Sequence, residues 1–201
     1  MTANGSQKAL ADALVALFAS KARAKVIGLF MVDPCRAYYQ RQIEAVTGLA
    51  IRAVQRELER LTSIALLYRR AEGNRTYYQV DMQFPLFAEL RSMVLKTAEP
   101  YDRLRGTLSM DEAVRLAFVA DTNDRVLVVT AGGRRPAFTA PGPFAVEVMT
   151  SEAFEEAVSS RSPSLEPYLV RGLDLLGRRE DVIWRRIEAA GYTVEKGKGV
   201  A

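Results

Sequence analysis

The stretch Tyr39–Val80 reads YQRQIEAVTGLAIRAVQRELERLTSIALLYRRAEGNRTYYQV. Tyr39, Ile43 and Val46 recur at helical spacing, so the first part predicts a short helix over Tyr39 to Val46. Thr47-Gly48 then supplies a tight turn, because glycine adopts a positive φ without steric cost. A second helix, about Ala50 to Leu61, turns Ile51, Val54, Leu58 and Leu61 inward. That stripe leaves Arg52, Arg56 and Arg60 on the opposite face, with Ala53, Gln55 and Glu59 beside them. A core cannot satisfy all of these arginines, so they are solvated or they meet an anion. Two alternating runs follow, Leu66 to Ala71 and Thr76 to Val80, closed by Glu72-Gly73-Asn74-Arg75. They predict a hairpin whose Gly73-Asn74 turn supplies the positive dihedrals, with Arg69, Arg70 and Arg75 making it basic.

Helix, turn, basic helix and basic hairpin together make the layout of a winged helix-turn-helix, which sets one helix into a DNA groove. On that layout Arg52, Ala53, Gln55 and Arg56 face base edges, where arginine and glutamine offer bidentate contacts. Arg41, Gln42 and Arg60 hold phosphates, and Arg69, Arg70, Asn74 and Arg75 form the wing. The charge distribution agrees. Residues 1–100 carry 14 Lys+Arg against 9 Asp+Glu, whereas 101–201 carry 14 against 15, so the basic excess sits with the two helices and the hairpin.

Outward from this stretch, Ala9 to Phe18 shows a helical stripe, and Ser20 is placed to cap a helix over Lys21 to Val32 that Asp33-Pro34 ends. Pro85 opens a further helix, Leu86 to Lys96. Its apolar positions, Leu86, Phe87, Leu90, Met93, Val94 and Leu95, exceed what a lone exposed helix carries. They pack within the chain, or Leu86, Phe87, Leu90, Met93 and Val94 meet a two-fold partner. A helical connector, Glu99 to Thr107, places the domain boundary near Pro100, giving domains over 1–97 and 98–201. The second half mixes strands (Val114 to Ala120, Arg125 to Ala131, Phe144 to Met149) with helices (Ser151 to Ser159, Ser164 to Arg171, Glu180 to Ala190). Leu173 to Leu176 is a short apolar run, and the Gly-Lys-Gly tail reads as disordered. The expected fold class is α+β.

Composition narrows the chemistry. The chain has 201 residues, is 49% hydrophobic and contains no histidine. That removes the commonest general base and the commonest metal ligand, so histidine-based triads are excluded and no metal or cofactor is expected. The one cysteine, Cys35, allows no internal disulfide and fits a reducing compartment. No apolar run approaches membrane-spanning length, and the first residues do not read as a signal peptide. The expectation is a cytoplasmic protein.

Both halves together resemble prokaryotic regulators that join an ArsR/MarR-like winged helix to a small nucleotidyltransferase-like domain. The first resemblance covers residues 8 to 97, in ALFASKARAKVIGLFMVDP, YYQRQIEAVTGLAIRAVQRELERL, LLYRRAEGNRTYYQVD and FPLFAELRSMVLKT. Ala65 stands where that family usually ends its recognition helix with glycine. In the second half, LAFVADTNDRVLVV and FAVEVMTSEAFEEAVSSRSPSLEPYLVRG resemble the transferase strands and helices with the chemistry removed. Ala120-Asp121 replaces the Gly-Ser phosphate cradle, no Asp-x-Asp precedes Val128, and the connection Gly132 to Pro143 is too short for the family's next helix. Phosphoryl transfer depends on positioning and metal-held charge, so no catalytic residue carries over.

The resemblance therefore implies a homodimeric, sequence-specific regulator of double-stranded DNA, with a palindromic operator and no enzymatic activity. The alternatives are a divergent nucleotidyltransferase that finds a nucleic-acid target through its winged helix, and an antitoxin-like module whose second domain captures a protein. Among the remaining candidates, Asp121 and Asp124 read as turn residues before metal ligands. Gly132-Gly133-Arg134-Arg135 reads as a solvated loop before an anion site, Cys35 as an inert residue before a redox sensor, and Trp184 as a packing anchor.

Overall fold

In a computed structural model of the protein, residues 12–132, 144–197 and 199–200 are described. The chain divides into two compact units, the first ending at Gly106 and the second spanning Thr107–Val200. The division lies beyond Pro100, inside a helix (α6, Pro100–Ser109) rather than ahead of it.

The first unit is built around a helix buried on nearly all sides. After a first helix described over residues 12–18 (α1), Ser20 caps α2 (Lys21–Val32) by accepting the Arg23 N–H at 3.2 Å. Val26, Ile27, Leu29, Phe30, Met31 and Val32 of α2 are all buried, as an all-round apolar helix requires. Around it pack α3 (Gln40–Thr47), α4 (Ile51–Ser63) and α5 (Phe87–Thr97). The sheet joins β1 (Tyr38–Tyr39), β2 (Leu67–Glu72) and β3 (Arg75–Val80) in the order β1-β3-β2, all antiparallel. The sequence places Tyr39 in a helix. Its backbone is extended (φ −94°, ψ 161°) and pairs with Tyr77 across the sheet, so α3 starts one residue later.

Two turns shape this unit. The hairpin closes through Gly73 at φ 60°, while Asn74 is not among the positive-φ residues. One positive dihedral at the first central position is the II′ pattern, so glycine alone carries the requirement expected of both residues. At the end of α4, Ala65 sits at φ 60°, where glycine is expected. Its N–H donates to the Thr62 carbonyl and the Leu66 N–H reaches back to Leu61, both at 3.0 Å. This is the paired bonding of a Schellman ending, adopted by an L-residue at a cost of about 1–2 kcal/mol.

The second unit is a mixed five-stranded sheet in the order β6-β5-β4-β7-β8. β4 (Val114–Val119) and β5 (Arg125–Thr130) form an antiparallel hairpin, and β6 (Ala145–Thr150) runs parallel to β5. Thr150 caps α7 (Ser151–Ser159) by accepting the Ala153 N–H, and Asp181 caps α9 (Val182–Ala189). Between them, the helix expected over Ser164 to Arg171 resolves into a 3-10 turn (Pro163–Leu165) and a short α8 (Glu166–Leu169). Phe118 stacks against Phe154 and Trp184 at 5.8 and 5.9 Å, so Trp184 is a packing anchor.

One more strand forms just ahead of the Gly-Lys-Gly tail. β8 (Glu195–Lys196) pairs in parallel with β7 (Leu173–Asp174), and the Gly197 N–H donates to the Asp174 carbonyl at 2.8 Å. A Cβ at position 197 would stand 2.9 Å from that oxygen, which is why the strand exits on glycine. Residues 133–143, with the Gly133, Arg134 and Arg135 of the anion-site reading, and Lys198 lie outside the described residues.

Candidate nucleic-acid interface

The α3-turn-α4 corner is fixed from inside. Thr47 donates its hydroxyl to the Ile43 carbonyl at 2.6 Å and accepts the Leu49 N–H at 3.3 Å, while Gly48 turns the chain at φ 64°. Lys25 of α2 donates to the Thr47 carbonyl at 2.6 Å, setting a cation on the negative end of α3. Val54, Leu58 and Leu61 bury the inner face of α4, and Ile51 is half-buried.

Glu57 joins that inner face, which the apolar pattern alone does not reveal. Its side chain is 8% exposed, and it accepts the Arg23 Nε at 3.1 Å and an Arg60 Nη1 at 3.2 Å. Spacing offers the signal in retrospect, since position 57 falls on the inward row beside 54, 58 and 61. Arg60, expected to hold a phosphate, is exposed and pairs with this carboxylate through its Nη1. Gln42 is also committed: its Oε1 accepts the Tyr39 N–H at 3.1 Å at the start of α3. Gln55 is half-buried and donates to the Gln40 Oε1 at 3.2 Å, and Ala53 is half-buried beside it.

Arg52 and Arg56 differ from these. Both are exposed on α4, and neither has an ion pair among the described residues. Arg41 on α3 and Arg69 on β2 share that condition. The four cations are what this surface offers a polyanion without first breaking an internal contact.

The hairpin divides its arginines between two faces. Leu67, Tyr78, Val80 and Tyr38 are buried, which makes theirs the core face of the sheet, and strand alternation adds Arg69 to it. Arg70 and Arg75 project from the other face. There Arg70 pairs with Glu72 at 3.2 Å, and the Arg75 guanidinium lies over the Tyr39 ring, 4.7 Å from its centroid. The sequence groups Arg69, Arg70, Asn74 and Arg75 as one basic wing; all four are exposed, but they do not share one face.

Of the five residues expected to meet a partner copy, Val94 is 3% exposed and belongs to the core of its own unit. Phe87, Leu90 and Met93 are half-buried against the same core, so intrachain packing accounts for most of the apolar surface of α5. Leu86, just ahead of α5, is 57% exposed.

In the second unit, Asp121 forms an ion pair with Arg171 at 3.2 Å, and Asp124 accepts the Thr122 hydroxyl. No cluster of cysteine, aspartate and glutamate suited to a metal ion occurs among the described residues. Cys35 is exposed and forms no disulfide among the described residues. Buried Asp174 accepts the Leu176 and Gly177 N–H groups and faces Arg179, yet burial dominates and raises its pKa. Neither a family model, nor a curated protein, nor a solved structure matches the chain.

Proposed function

We propose that the first unit is a winged helix-turn-helix domain and that the protein is a sequence-specific, double-stranded DNA-binding transcriptional regulator. The observation that carries the reading is the pair Arg52 and Arg56. They stand on the exposed face of an amphipathic helix, behind a left-handed glycine turn, without an internal counter-charge among the described residues. The order helix, short strand, helix, helix, hairpin supports it, with the strand completing a three-stranded sheet beside the hairpin. In this arrangement Arg52 and Arg56 read base edges, assisted by Gln55 and the small side chain of Ala53. Arg41 and Arg69 contact phosphates. Arg60 and Gln42 act through Glu57 and the start of α3, so they position the corner.

The working unit in this proposal is a homodimer on a palindromic operator, its half-sites about one helical turn (~10 base pairs) or a multiple apart. The second unit, which resembles a nucleotidyltransferase without its phosphate cradle, takes a non-catalytic role. The engagement of Asp121 with Arg171 supports this.

The test is a mobility shift with a duplex from the region upstream of the protein's own coding sequence, without nucleotide or metal. A shifted band weakened by ~1–3 kcal/mol in Arg52→Ala and Arg56→Ala is the expected result. Unchanged binding by both variants removes this face from the interface. For the dimer, light scattering on Leu86→Glu is cleaner than on Leu90→Glu, because Leu90 also packs on its own core.

A further inference from the structure

The outer face of the three-stranded sheet carries a row of aromatic and charged side chains. Register fixes its residues. Tyr39 stands opposite Tyr77, and Tyr77 opposite Arg70, making one row across the three strands. Toward the hairpin tip, Arg75 stands opposite Glu72; toward the base, Gln79 stands opposite Tyr68. The rings are held in place. Tyr39 and Tyr77 meet edge to face at 5.7 Å, and Tyr68 donates its hydroxyl to the Gln79 Oε1 at 2.7 Å. Gln79 in turn donates to the Pro34 and Cys35 carbonyls at 3.2 and 3.0 Å.

This face is aromatic and charged, with Glu72 the one acidic residue on it. None of the seven positions is aliphatic, and Tyr68 is an exposed aromatic among them. It offers fixed aromatic rings with two arginines beside them. The Arg75 guanidinium lies over the Tyr39 ring, so a base stacks on that face only by displacing it. Aromatic rings on an open sheet, flanked by cations, are the means by which proteins stack unpaired bases and track a phosphate chain. A duplex keeps its base faces stacked on one another and offers none to a tyrosine.

We propose that this face binds single-stranded DNA. Tyr77 and Tyr39 stack bases, and Arg75 and Arg70 exchange their contacts with the Tyr39 ring and Glu72 for the backbone. The site is separate from Arg52 and Arg56 and does not depend on the duplex reading.

Fluorescence anisotropy of a labelled oligothymidylate of about 12 nucleotides, with the full-length protein, tests it. Tyr77→Leu should weaken binding of the oligonucleotide about tenfold or more, and Tyr77→Phe should restore most of it, because stacking needs the ring and not the hydroxyl. Arg52→Ala should leave it unchanged. The upstream duplex, measured in parallel, should respond in the opposite way, losing affinity with Arg52→Ala and not with Tyr77→Leu. Three results overturn the proposal: no binding of the oligonucleotide at micromolar protein, binding indifferent to Tyr77→Leu, or equal losses on both DNAs with either variant. A wild type that binds the oligonucleotide but not the duplex would instead count against the reading of α4.

Discussion

The Arg75 guanidinium rests 4.7 Å from the centre of the Tyr39 ring, which ties the first residue of β3 to the residue that opens α3. The hairpin and the α3-turn-α4 corner are thus in direct contact through a cation and an aromatic face.

That contact sets a first prediction. Arg75 is exposed, so its attraction to the ring is worth only about 0.5–1 kcal/mol, and Arg75→Ala should lower stability by no more than that. In the single-strand proposal Arg75 leaves Tyr39 for a phosphate, so the same variant weakens oligothymidylate binding. It also reduces the slope of log K against log salt by about one. A salt titration of wild type and variant measures both effects.

A second prediction concerns Glu57. This carboxylate is buried and shared by Arg23 and Arg60, whose guanidinia are partly exposed. Removing one partner of a fully buried pair costs about 3–5 kcal/mol; with solvent screening both arginines, Glu57→Gln should cost ~1–3 kcal/mol. Releasing Arg60 should at the same time steepen the salt dependence of duplex binding. Urea denaturation followed by circular dichroism gives the first quantity and anisotropy the second.

Ala65 supplies a third. Its left-handed backbone costs more for alanine than for glycine, partly offset by the larger entropy glycine loses on folding. Ala65→Gly should stabilise the first unit by about 0.5–1 kcal/mol without altering DNA affinity. A lower midpoint in urea would mean that the turn is held by something other than backbone geometry.

The fourth prediction is a pH dependence. Burial raises the pKa of Asp174 in the folded chain, against the hydrogen bonds and Arg179 that act in the other direction. A raised folded pKa means that the native state holds its proton more tightly than the unfolded chain. The contribution of Asp174 to stability is complete below the ordinary carboxylate value of about 4, and it is lost as pH rises through the elevated value. Asp174→Asn should flatten this part of the profile. Trp184 is the chain's one tryptophan and lies in the same unit, so its fluorescence during urea unfolding across mildly acidic pH reports the effect locally.

Most elements were legible where local chemistry determines them. The Ser20 cap and the helix Lys21–Val32, the Thr150 cap and the helix Ser151–Ser159, and the Gly48 turn follow from single residues and their immediate spacing. Elements that exist only through a distant partner were not. β1 is a strand because Tyr39 meets Tyr77, and β8 because Glu195 meets Leu173; neither dipeptide has a period of its own. The surface shows the same limit. Exposure of Arg52 and Arg56 follows from helical spacing, whereas the engagement of Arg60 by Glu57, and of Gln42 at the start of α3, depends on side chains meeting in space. The two faces of the hairpin were visible as alternation, but only the buried Leu67, Tyr78 and Val80 say which of them looks inward.

The alternation of Arg69 and Arg70 makes this hairpin unusually sensitive to changes of length. Strand periodicity is two, so a single-residue deletion or insertion in Leu67–Glu72 would exchange the faces of every residue beyond it. Arg69 would move to the tyrosine side and Arg70 to the helix side, with no amino acid replaced. Indels in this strand, more than substitutions, are the mutational route by which one surface could acquire the cations of the other.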